Sequence, residues 1–205
     1  MSGFLFFMVK NRSYFKHTWY PGETYFLTTK TNLDAHFLVN KGACEVIIET
    51  LRVAKKIYDF ELYSFIIMPD HLHLLIANKG EVNISKIMHF IKRHSTRNIN
   101  IRDQRLFCIL NTQPKVEEVC KPLPPELLED YYSKLNNIKV NLDNHFSWQQ
   151  GFHDRRVRDN KEFDNKVDYI NMKNLYELVD KYDYQGNVED YPFYTYTNQD
   201  LIDEF

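Results

Sequence analysis

The sequence predicts an α+β protein: an antiparallel sheet with helices on one face, extended by a C-terminal helix that bears a tyrosine. Three observations predict it. Residues 20–31, 61–68 and 71–76 are short apolar runs rich in strand-forming side chains. Residues 41–59 and 84–100 instead repeat their apolar positions at helical spacing. The resulting order, strand, helix, strand, strand, helix, is the split β-α-β, ferredoxin-like arrangement lacking only its closing strand.

The first strand centres on Tyr25-Phe26-Leu27-Thr28-Thr29 and follows the turn signal Pro21-Gly22. In the first helix Val46, Ile47, Thr50, Val53, Ala54 and Ile57 fall close to one stripe. Residues 61–68 are the second strand, and Met68-Pro69-Asp70 turns it into the third. Asn83 is the expected cap of the second helix, with Ile84, Ile87, Met88 and Ile91 inward. Residues 146–157 are the candidate closing strand, weakened by Gly151. Between them, residues 106–145 hold Pro114, Pro122, Pro124 and Pro125 and an acidic-aromatic helical piece at 126–134, and read as an insertion on the rim.

From Asn160 a helical pattern resumes through at least Met172, with Phe163, Val167 and Ile170 in one stripe. Lys166, Tyr169 and Lys173 line up one face round. The tail, 181–205, is aromatic and acidic, and is expected to pack as irregular chain anchored by Tyr191-Pro192-Phe193. Residues 1–205 thus read as one domain, with its core at 20–105 and 146–180.

Composition narrows the function. The 205 residues are 43% hydrophobic and 15% aromatic, enough for a core and unlike a disordered chain. A net charge of −2 argues against a globally basic nucleic-acid binder, so any such contact must come from a local patch. Cys44, Cys108 and Cys120 are odd in number and lack CxxC spacing, which points away from a disulfide framework or cysteine zinc site and fits a reducing cytoplasm. The apolar run at 4–9 is too short for a membrane span and lacks signal-peptide flanks. A soluble, cytoplasmic protein with no membrane partner is expected.

The third strand carries the most informative residues. His71 and His73 project from one face of it, while Leu72, Leu74 and Ile76 point to the other. Two imidazoles about 7 Å apart along a strand can share a divalent metal. From the pair alone, two polar residues on a solvated face are the commoner case.

More segments follow in order. Met68-Pro69-Asp70-His71-Leu72-His73 precedes Ile84-Ser85-Lys86-Ile87-Met88-His89-Phe90-Ile91-Lys92. Then come Trp148-Gln149-Gln150-Gly151-Phe152-His153-Asp154 with Val157-Arg158, Asp168-Tyr169-Ile170-Asn171-Met172-Lys173-Asn174, and Glu189-Asp190-Tyr191-Pro192-Phe193. This series resembles the single-tyrosine (Y1) HUH transposases of the IS200/IS605 kind. The Trp-x-x-Gly-Phe-x-Asp and Tyr-Pro-aromatic elements favour their REP-associated tyrosine transposase branch. The resemblance covers residues 20–105 and 146–194.

It implies an enzyme that nicks and rejoins single-stranded DNA, a transposase or a domesticated REP-associated one. In such proteins a tyrosine attacks the scissile phosphate, leaving a 5′-phosphotyrosine and a free 3′-hydroxyl, with Mg²⁺ or Mn²⁺ held by the two histidines. Carried over by motif, His71 and His73 are the implied metal ligands and Tyr169 the implied nucleophile. The implied partner is single-stranded DNA with a hairpin, and the oligomeric state stays open between monomer and homodimer. The chemistry is coherent by itself: a phenol with a pKa of about 10 is a poor nucleophile at neutral pH and needs a nearby cation.

One position departs from the family. Where an Asn or Gln usually follows the tyrosine by one helical turn, this chain has Lys173, with Asn174 next. An ammonium repels a metal. Lys173 is therefore assigned to the scissile phosphate or to lowering the pKa of Tyr169, and the third ligand to Asn174, water or a carboxylate such as Asp168. A decayed site that only binds DNA is the rival explanation.

Local charge is available for phosphate contacts. Lys86, His89, Arg93 and Arg97 share one side of the second helix, with Lys92 beside them. Arg155, Arg156, Arg158, Lys161 and Lys166 cluster before the tyrosine. The Lys86–Arg97 face would ordinarily be a solvated helix face, and exposed Tyr or Phe side chains could stack on unpaired bases. Two other functions compete. A nucleic-acid binding module on the same sheet is one, though no glycine-aromatic RNP motif is present. A hydrolase using a His-x-His-x-His strand is the other, and Leu75 occupies its third position. The strand-transfer reading requires Tyr169 to come within a few ångströms of the imidazoles, and the imidazoles not to be buried under other side chains.

Overall fold

A computed structural model describes residues 19–79, 82–103 and 125–204. Its regular elements are β1 (Thr24–Lys30), α1 (Lys41–Tyr58), β2 (Phe60–Met68), β3 (His71–Asn78), α2 (Ile84–Arg102), α3 (Pro125–Asn136), β4 (His153–Arg156), α4 (Asn160–Asp168) and α5 (Asn174–Tyr182). The strands form one antiparallel sheet in the order β2-β3-β1-β4. That is the split β-α-β arrangement.

Local chemistry explains the boundaries. The Asn40 side chain accepts the Ala43 amide at 3.0 Å to start α1, and Asp59 ends it in the left-handed region at φ 48°. Asn83 caps α2 by accepting from the Ser85 amide at 2.8 Å. Between β2 and β3 only Pro69 and Asp70 are left to turn the chain, so the two strands form a tight hairpin.

The sheet has two unlike faces. On one, Tyr25, Leu27, Phe65, Ile67, Leu72, Leu74 and Ile76 are buried beneath α1 and α2 as the main core. Each large apolar side chain buried there contributes about 1.5–3 kcal/mol. Register sets the other face: Thr28 stands opposite His73, and Lys30 opposite His71. Along β1 this second face is only half covered.

The closing strand is shorter than the stretch expected for it. Trp148 makes a single bridge to Thr31, Gly151 then turns at φ 76°, and only His153–Arg156 pairs regularly with β1. A positive φ is easy for glycine and breaks the pleat. Part of the insertion also differs from expectation. Tyr131 of α3 is buried, and its hydroxyl meets Thr50 Oγ1 at 3.0 Å and Asn98 Nδ2 at 2.8 Å, so α3 packs against α1 and α2. Residues 106–124 of the insertion, Pro114, Pro122, Pro124, Cys108 and Cys120 among them, and the apolar run at 4–9 lie outside the described residues.

The tail does more than anchor at Tyr191. It lies along β2, the edge strand: Ile67 N donates to Phe193 O at 2.9 Å, and Thr195 Oγ1 accepts from Phe65 N at 3.0 Å. Farther along, Asp203 and Leu62 exchange bonds of 2.8 and 2.9 Å. The unpaired edge of β2 is thereby covered. Among the described residues, no helix is long and apolar enough to cross a membrane.

Candidate active site

His71 and His73 stand side by side at the start of β3, and each ring is held by its Nδ1. The Asp70 carboxylate accepts from His71 Nδ1 at 2.5 Å, and Thr28 Oγ1 lies 2.8 Å from His73 Nδ1. With both Nδ1 atoms engaged, the Nε2 atoms turn toward each other and lie 3.0 Å apart. A ring whose Nδ1–H is donated presents a lone pair at Nε2, the form that binds a metal.

The helical run that begins at Asp159 brings the tyrosine to this face. Asp159 caps α4 by accepting the Glu162 amide at 2.8 Å. The run then widens into a π-turn at Tyr169–Lys173 before α5 continues it. Tyr169 packs edge-on to His73, with ring centroids 5.5 Å apart, and to Phe26 at 5.9 Å. Phe26 itself stacks on His73 at 5.1 Å. Asn171 holds the π-turn to β2 through a 3.2 Å bond from Ser64, and the Tyr182 hydroxyl closes the far end of the run by donating to Asp70 at 2.7 Å.

The π-turn decides which residue follows Tyr169 on the buried side. Its amide bond runs from Asn174 back to Tyr169, one residue longer than in an α-helix. The extra residue leaves Lys173 exposed and buries Asn174 completely. Asn174 Nδ2 donates to Tyr169 O at 3.0 Å, whereas its Oδ1 is buried without a hydrogen-bond partner. The single helical face drawn through Lys166, Tyr169 and Lys173 therefore breaks at this turn. Asp168 is exposed, and among the described residues no three His, Cys, Asp or Glu side chains gather as a metal cluster.

Both imidazoles are buried, His71 at 7% and His73 at 5% exposure, so the condition that other side chains leave them open is not met. The cause is local. Phe26 and Tyr169 lie against His73, and His71 is packed against His73 and bonded to Asp70. Burial, with His71 and Lys166 nearby, lowers the His73 pKa to about 3. Burial also raises the Tyr169 pKa, helped by Glu177 and opposed by Lys181. Asp70 is pushed up by burial, but the bonds from His71 and Tyr182 outweigh that and hold it well below the usual carboxylate range.

The basic residues divide into separate groups. Lys166 Nζ sits 4.4 Å from the Phe26 ring centre and 5.5 Å from that of Tyr169, and Arg155 pairs with Glu162 at 2.6 Å on the same face. Arg156 turns to Tyr20 and Glu23, while Arg158 is exposed near Glu162. Lys86 and His89 are exposed and Arg93 and Arg97 half-buried on α2, across the sheet from the histidines. Lys92 is spent differently: its ammonium donates to Gln149 O at 2.6 Å and to Gly151 O, clasping the loop before β4. Burial lowers its pKa to about 8. Phe26, Thr28 and Tyr182 were not anticipated as site residues. Thr28 follows from strand register once β1 is paired with β3, whereas Tyr182 is 112 residues from Asp70 and gave no local signal.

Residues 24–111 match the family model for IS200-like transposases. No curated protein matches the chain. Among solved structures it is similar to a REP-associated tyrosine transposase bound to a REP hairpin, at 18% identity over 90% of this chain and 82% of that one, with a TM-score of 0.57. A putative transposase from Deinococcus radiodurans is also 18% identical, over 74% of this chain and 92% of that one, with a TM-score of 0.40. At such identity the first of these likenesses is one of fold. Over residues 24–111 the chain thus carries the IS200-like transposase signature, on a fold shared with a REP-associated tyrosine transposase, as its motifs led us to expect.

Proposed function

We propose that the protein nicks and rejoins single-stranded DNA through Tyr169. The observation that supports this most is the meeting of Tyr169 and His73 within one chain, ring centres 5.5 Å apart, although 96 positions separate them (169 − 73). The phenolic oxygen attacks phosphorus and the P–O3′ bond breaks. The tyrosine then holds the 5′-phosphate, its proton is released, and the departing 3′-oxygen takes one up. A free 3′-hydroxyl can reverse the step because the phosphotyrosyl ester conserves the energy of the broken bond.

The donors fit a divalent cation. Two Nε2 atoms converge, and the buried Asn174 oxygen lacks any other partner. His71, His73 and Asn174 are the proposed ligands, and a set with two nitrogens favours Mn²⁺ over the harder Mg²⁺. Such an ion, when bound, polarises a non-bridging phosphate oxygen. Asp70 and Thr28 orient the ligands, and Lys166 and Arg155 offer cations to the phosphates beside Tyr169. Lys173 starts from an exposed position, so a phosphate contact there is one made from the solvent side. Lys86, His89, Arg93 and Arg97 are left for DNA beyond the cleavage site. Because the imidazoles are covered, the Tyr169 ring must move aside to admit the scissile phosphate.

The same burial favours a second reading, a DNA-binding protein whose site no longer cuts. Incubation with hairpin-flanked single-stranded DNA and Mn²⁺ separates the two; the similar REP-associated protein was solved with a hairpin. The enzyme reading expects a covalent adduct that disappears in Tyr169→Phe and His73→Ala. Retarded DNA with no adduct is the result for a binder.

A further inference from the structure

We infer that Tyr182 is a positioning residue for the metal site: from the far end of the helical run that carries the nucleophile, its hydroxyl fixes the carboxylate that orients His71. This rests on the reading of His71 and His73 as metal ligands. The chain of contacts is continuous. Tyr182 Oη donates to Asp70 Oδ1 at 2.7 Å, and the same oxygen accepts from His71 Nδ1 at 2.5 Å. His71 Nε2 then faces His73 Nε2 at 3.0 Å, and His73 Nδ1 is held by Thr28 at 2.8 Å.

Asp70 is held at both its backbone and its carboxylate. Its backbone carbonyl is pinned by Thr31, which donates from N at 2.8 Å and from Oγ1 at 3.0 Å. Its carboxylate is fixed from two sides, by His71 and by Tyr182. Tyr182 is in turn seated by His36, edge-on at 5.2 Å, and by Lys181, whose ammonium lies 4.9 Å from its ring centre. The bond also ties α5 to the start of β3. Docking of α5 and orientation of His71 are therefore one event, and by linkage a metal that needs the oriented ring must tighten α5 against the sheet.

The test is Mn²⁺ affinity without DNA, read from the loss of the free-ion EPR signal, in wild type, Tyr182→Phe, Tyr176→Phe and His71→Ala. Phe keeps the ring contacts of Tyr182 and removes only the hydroxyl; Tyr176, 62% exposed on the same helix, is the control. Expected are binding weaker by roughly threefold to tenfold in Tyr182→Phe, below the 10- to 100-fold of a direct partner of a ligand because the hydroxyl acts through Asp70, wild-type affinity in Tyr176→Phe and loss of the site in His71→Ala. Hydrogen exchange across α5 should slow on adding Mn²⁺ to wild type and change little in Tyr182→Phe. Wild-type affinity in Tyr182→Phe overturns the positioning role alone. A wild type that binds no Mn²⁺, or His71→Ala that binds it equally well, overturns the metal reading beneath it.

Discussion

Lys173 and Asn174 are neighbours in the chain, yet the first is exposed and the second fully buried. An amide oxygen can lie unpaired in a dry site if a cation completes it, whereas an ammonium there would be desolvated and repelled. Asn174→Ala is accordingly expected to weaken Mn²⁺ binding by about 100-fold, the upper end of the range for groups that only support a ligand. Lys173→Ala should leave that affinity unchanged, and calorimetric titration of the two variants checks both. Lys166 has the contrasting surroundings, half-buried between the Phe26 and Tyr169 rings with its pKa lowered by burial and by Arg155. Lys166→Gln should weaken single-strand binding and lower its salt slope by about one counterion. A slope equal to wild type would remove Lys166 from the phosphate path.

The π-turn behaves as a single inserted residue in an otherwise regular helix of α4 and α5. Deleting Lys173 should let the turn relax to α-helical spacing, with Asn174 still behind Tyr169 and Tyr182 still at Asp70. An unreduced unfolding temperature is expected, with adduct formation equal to that of Lys173→Ala. Deleting Val179 from the regular α5 should instead rotate Tyr182 by about 100° and lose its bond to Asp70. Periodicity made the strands and main helices legible, because each turns an apolar face to the main core: Leu72, Leu74 and Ile76 sit there while His71 and His73 point away from it, although both are buried. Asn83 was legible as a cap for the same local reason. The π-turn was not, since a continuous α-helical count through Tyr169 put Lys173 on its face and carries no mark of a one-residue slip. Lys92 was equally opaque: its partners are backbone carbonyls 57 and 59 residues away, which any sequence could supply.

Two features act on the molecule as a whole. The tail covers the β2 edge and buries Tyr191, Phe193 and Tyr194, so truncation after Asp190 should cost several kcal/mol. It should also expose an edge prone to self-pairing, seen as a lower unfolding temperature and as higher-order species on size-exclusion chromatography. The other is acid sensitivity from His94, buried and stacked on Phe90 at 4.0 Å, whose pKa burial lowers from 6.5 to about 4. Below pH 6.5 the unfolded chain takes up a proton that the folded ring refuses until about 4, so the neutral ring's contribution is complete above 6.5 and lost as pH falls through that window. The loss is on the order of 3 kcal/mol at about 1.4 kcal/mol per pH unit, and urea unfolding should show a shallower decline in His94→Leu than in wild type. The arrangement of sheet, tail and helical run brings one phenol ring against His73 of the imidazole pair. Mass-spectrometric peptide mapping of protein treated with Mn²⁺ and hairpin-flanked single-stranded DNA addresses that placement directly. The nucleotide should be found on the peptide containing Tyr169. Attachment to a different tyrosine, or DNA and Mn²⁺ both bound with no covalent product, would contradict it.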